Sequence, residues 1–159
     1  MNVTSFDIMM FVRVKIILLK GENAVNIFND KIDVIKKVIL LADERNKAAK
    51  TNRPKEIKNI GASINSPEYI LVKEKRADLL EYVNSLDFET VKMLQTIMYL
   101  GRDREYDTND SVEKRYETLR NHFNESGWNT KDIEVNQMIS KAPLGDYLRI
   151  GCQILDIKI

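Results

Sequence analysis

Metal-binding and thiol chemistry are nearly absent from this chain: its 159 residues include one cysteine, Cys152, and one histidine, His122. No internal disulfide can form, and neither a cysteine-based zinc centre nor a multi-histidine site can be assembled within one copy. Neither a metal nor a cofactor is therefore expected, and a reducing cytoplasm suits the lone thiol. Glycine is also scarce, with six in all. The sequence has no phosphate-cradling P-loop, no dinucleotide fingerprint and no HExxH pair. "DREYDTND" at 103–110 is acidic, but it lacks the spacing and the sixth-position glycine of a calcium loop. Charge of one sign is missing as well, since 25 Lys and Arg face 24 Asp and Glu. No overall field recruits a polyanion or an anionic membrane surface.

Long apolar runs are the last absence. The best candidate is "FDIMMFVRVKIILL" at 6–19, where Asp7, Arg13 and Lys15 interrupt a stretch already shorter than the roughly 20 residues of a spanning helix. "KGENAVN" after it does not resemble a signal cleavage site. No membrane contact is expected. Alternation of Val12, Val14, Ile16 and Leu18 makes residues 1–28 an N-terminal apolar segment, either a short strand or a buried arm.

What the chain does have is helical periodicity. From residue 29 onward Ile32, Ile35, Val38, Ile39 and Ala42 form one stripe. Pro54, Gly61 and a polar cluster then break the pattern, predicting a flexible loop near 46–65. Ser66-Pro67 is a cap and first-turn pair, followed by a stripe of Ile70, Ala77, Leu80 and Val83. Asp87 caps the next segment, with Val91, Leu94, Ile97 and Met98 facing the core, and Gly101 is read as its stop. Asp110 with Glu113 suggests a capping box ahead of Val112, Tyr116, Leu119 and Phe123. Ser126-Gly127 ends that helix. Asn129 or Thr130 starts another, and Pro143 opens the last, with Leu144, Tyr147, Leu148, Gly151 and Leu155 on one face. Gly145 and Gly151 within a helix point to close helix contact. The fold expected is an all-α, mainly antiparallel bundle of five or six helices, formed by one domain over 29–159.

The segments "ADLLEYVNSLDFETVKMLQTIMYLGRD" and "ISKAPLGDYLRIGCQIL" resemble a bacterial domain-of-unknown-function family, number 3775. Tyr99, Leu100, Gly101 and Arg102 match its aromatic-Leu-Gly-Arg motif. Pro143, Leu144, Asp146, Tyr147, Leu148 and Gly151 match a second motif, with one residue fewer between Leu144 and Asp146. Asp103 stands where the family tends to carry a second glycine. Including the helix "IDVIKKVILLADERNKAA", the likeness covers about residues 29–156. It implies a helical fold and supplies no reaction, because the family has no established activity.

If the two motifs pack, Arg102 and Asp146 are placed to form a bidentate pair tying one helix end to another helix start. In the functional version, Arg102 and Arg104 project from the helix end into a groove and receive an acidic ligand or partner, and Tyr99, Asp146 and Tyr147 are further ligand or partner candidates. A second cluster is basic: Arg45, Lys47, Lys50, Arg53, Lys55 and Lys58 could touch phosphates, although no aromatic residue between Arg45 and Lys58 could stack on a base. A Cys152–His122 nucleophile pair would require two helices to meet. Most of the pattern thus favours a protein–protein interaction or self-associating module, with a protein partner or a homodimer expected. The alternative is a nucleic-acid-associated regulator using the basic loop 45–58. An enzyme of unknown class comes third, since no residue identifies itself as a nucleophile or base.

Overall fold

A computed structural model of the chain describes residues 28–51 and 66–159. The expected N-terminal strand or arm and most of the basic loop, including Arg53, Lys55 and Lys58, lie outside the described residues. Among the described residues the architecture is all-α: α1 (Ile32–Thr51), α2 (Pro67–Ser85), α3 (Phe88–Asp103), α4 (Val112–Ser126), α5 (Lys131–Ile139) and α6 (Leu144–Ile154).

Local chemistry sets most of the boundaries. The Ser66 hydroxyl accepts from the Tyr69 N–H at 3.2 Å, and the Asp87 carboxylate accepts from the Thr90 N–H at 2.8 Å. Each satisfies a donor that the first turn leaves free. Gly127 closes α4 at φ 85°, a conformation suited to a residue without a side chain. Two boundaries differ from expectation. Ser111, not Asp110, caps α4, and Asp110 instead pairs with Lys114 at 2.6 Å. Gly101 does not stop α3, which runs on to Asp103 and closes with Arg104 at φ 56°.

Gly101 serves the packing of α3 on α6. A Cβ built there would overlap the Tyr147 carbonyl oxygen and lie 2.6 Å from the Gly151 nitrogen, while one on Gly151 would lie 2.8 Å from Ile97 Cγ2. The pairings of 97 with 151 and 101 with 147 make the two helices antiparallel and bring their backbones together. Around this crossing Leu94, Ile97, Met98, Leu144, Leu148 and Cys152 are fully buried. α1 adds Ile35, Val38, Ile39 and Ala42, as its periodicity predicts.

α2 departs from its predicted stripe. Leu79 and Val83 are buried, whereas Ile70 and Ala77 are exposed. Among the described residues only the second half of α2 contributes to the buried core, and Tyr69, Ile70 and Leu71 of its first turns are exposed.

Candidate functional site

The end of α3, the 104–111 connection and α4 enclose a cleft of about 310 Å³, lined by Tyr99, Asp103, Tyr106, Arg115, Leu119 and His122 among others. α4 contributes no fully buried residue. It is held by half-buried side chains, including an aromatic run in which Tyr99 and Phe123 lie 5.3 Å apart and Phe123 and Trp128 also 5.3 Å. Such pairs favour tilted and edge-to-face geometry. Arg120 sits over Trp128 at 5.1 Å and donates to Glu89 at 2.6 Å.

The expected Arg102–Asp146 pair does not form. Arg102 donates from Nε and Nη2 to the two Asp103 oxygens at 2.6 and 2.8 Å, and its guanidinium lies 4.3 Å from the Tyr99 ring centre. Its neighbour in sequence satisfies the fork, and Asp103 raises the Arg102 pKa. Asp146 pairs instead with Arg149 at 3.2 Å, and Arg149 also binds Asp43 of α1. Thus Tyr99 and Arg102 stand together beside the cleft, Arg104 is an exposed cap, and Asp146 and Tyr147 belong to α6. Of the five candidates, Tyr99 lines this cleft.

Arg45 is a second correction. It lies on α1 and not in a loop, is 7% exposed, and donates to the carbonyls of Ile139, Lys141 (2.7 Å) and Ala142 (3.0 Å). Those carbonyls lie at the last residue of α5 and just beyond it, where backbone acceptors lack helical partners. Burial lowers the Arg45 pKa, and the side chain is unavailable to phosphates. Lys47 and Lys50 also lie on α1, which extends to Thr51.

Cys152 is fully buried, its thiol pushed up to about 12, while His122 is exposed on α4. They form no catalytic pair. No group of three His, Cys, Asp or Glu among the described residues is placed to hold a metal ion. A buried polar tie that the sequence did not announce joins α3 to α5: Gln95 Nε2 donates to Glu134 at 2.6 Å, and Glu134 accepts from the Asn129 N–H at 2.8 Å.

Apolar surface, in contrast, is concentrated. Tyr69, Ile70 and Leu71 are 48%, 46% and 41% exposed in three consecutive positions of α2. A groove of about 590 Å³ between α1, α6 and the carboxyl-terminal residues includes Leu40 and Ile159, 50% and 42% exposed. No helix among the described residues is long and apolar enough to cross a membrane. No family model, curated protein or solved structure matches the chain.

Proposed function

We propose that this chain is a helical interaction module that presents an apolar surface to another protein or to a second copy of itself, in the cytoplasm of a bacterium. The observation that carries the reading is the exposure of Tyr69, Ile70 and Leu71 in the first turns of α2, none of which belongs to the core formed by the described residues. Contiguous exposed apolar surface in a folded domain marks a contact site more often than isolated exposed residues do. Membership of family 3775 is part of the same proposal and rests on the Tyr99–Arg102 and Pro143–Gly151 motifs. The nucleic-acid alternative would have to rest on residues other than Arg45, which is engaged by the α5 end.

Size-exclusion chromatography with light scattering, in low and high salt and with absorbance at 260 and 280 nm, separates the two readings. An oligomer that withstands salt and carries no nucleic acid supports the module. A monomer that co-elutes with nucleic acid at low salt and sheds it at high salt overturns it.

A further inference from the structure

Among the described helices α4 alone puts no residue fully into the core, whereas each of the other five buries at least two. Its apolar side chains Val112, Tyr116, Leu119 and Phe123 are half-buried. The chain also turns at both ends of this element: two of the three described residues with positive φ, Arg104 at 56° and Gly127 at 85°, bracket residues 105–126. Three side-chain hydrogen bonds among the described residues join that segment to the rest. Arg115 donates to the Ile154 carbonyl at 3.2 Å, Arg120 to Glu89 at 2.6 Å, and Trp128 to Asn124 at 2.7 Å. Its other side-chain bonds, such as Arg115 to the Thr108 carbonyl and Lys114 to Asp110, close within it.

We propose that residues 105–126 form a flap: α4 lifts from α3 as one unit between Arg104 and Gly127 while the other helices stay packed. The motion uncovers Tyr99, which meets Phe123, and the edge of Phe28 that meets Tyr116. This goes beyond the interaction reading and does not depend on the exposed residues of α2. Burial is the first support. Contacts of α4 are partial, so lifting it exposes less apolar surface than parting α3 from α6, whose backbones meet at Gly101 and Gly151. The second support lies in the two arginines that fasten the flap. Of the three buried side-chain polar atoms without a hydrogen-bond partner among the described residues, two are Arg115 Nε and Arg120 Nη1. A buried donor left unmade is costly, and lifting α4 gives both donors to water. The third support is the cleft of about 310 Å³, where Arg115, Leu119 and His122 already stand off from the end of α3. Side chains along such a gap forgo dispersion contacts. Arg104 and Gly127 lie at helix ends, the positions where hinges absorb a change of backbone angle.

Native-state hydrogen exchange, read by mass spectrometry on the full-length chain over a series of low urea concentrations, tests the flap. The expected result is that the α4 amides exchange together, at least about a hundredfold faster than interior amides of α3 and α6 and with little dependence on urea. A second measurement uses Ile139→Val, a mild change in the core on α5. It should speed the α6 amides roughly fivefold and leave the α4 rates unchanged, because the flap opens without disturbing that core. Three results overturn the proposal. Protection of α4 within about threefold of that of α3 means that it opens only with the whole molecule. An α4 rate that rises with Ile139→Val as α6 does means the same. Fast exchange confined to the end turns of α4 means fraying and not a flap.

Discussion

Gly101 on α3 and Gly151 on α6 meet backbone to backbone, with a Cβ on Gly101 reaching to 2.6 Å from the Gly151 nitrogen. The obstructing atoms belong to helix backbones, which cannot turn aside as a flexible side chain can. Gly101→Ala or Gly151→Ala must therefore push α3 and α6 apart. Each is expected to destabilise the protein by about 3 kcal/mol, at the upper end of overpacking costs and despite the roughly 1 kcal/mol that alanine gains over glycine in a helix. Thermal denaturation should show a melting temperature lower by roughly 5–10 °C. Gly145→Ala is the internal comparison, because its Cβ would meet the Asp43 side chain, which can move. Its effect should stay within about 1 kcal/mol.

Arg45 makes a different kind of prediction. Removing its guanidinium leaves the Ile139, Lys141 and Ala142 carbonyls without their donor, the first of them buried and the other two part-buried. Arg45→Ala should cost about 3 kcal/mol in urea denaturation, and Arg45→Lys should recover only part of that, since an ammonium cannot reproduce the planar fork. An unchanged midpoint in Arg45→Ala would contradict the buried role.

These two sites also show what the sequence discloses. Gly101 was conspicuous, but a glycine before a charged segment reads locally as a helix stop. Only the approach of α6, nearly fifty residues away, shows its use. Arg45 follows Val38 and Ala42 at helical spacing, so its place on the buried stripe was the available signal, masked by its charge and by the basic residues after it. Caps such as Ser66 and Asp87 were legible because their partners lie three residues on. The Arg102–Asp146 expectation failed for the converse reason: Asp103, the next residue, competes at no loop-closure cost. In α2 the periodicity was present, but which half met the core depended on where α1 and α5 lie.

Asp87 supplies the pH dependence. Its bonds to the Thr90 hydroxyl and Thr90 N–H hold its pKa below the ordinary carboxylate value. The unfolded chain therefore takes up this proton more readily, and the stabilisation is fully present above the unfolded pKa. It is lost as pH falls through the lower folded value. Stability measured from pH 5 downward should decline below about pH 4, and Asp87→Asn, which keeps a capping oxygen but does not titrate, should flatten that decline.

Cys152 should resist thiol reagents in the native protein. Burial holds its thiol near 12, so almost no thiolate exists at neutral pH, and the sulfur has no solvent access. Iodoacetamide labelling at pH 8 should proceed only through unfolding, rising at least a hundredfold in denaturant. Rapid labelling of the native chain would contradict the buried position.

Sedimentation velocity over a hundredfold range of protein concentration, comparing wild type with Ile70→Glu, tests the proposed interface most directly. The expected result is a wild-type mass that rises toward twice the 18.5 kDa of one chain, with Ile70→Glu held at the single-chain mass. A single-chain mass for both proteins at every concentration would contradict self-association through α2.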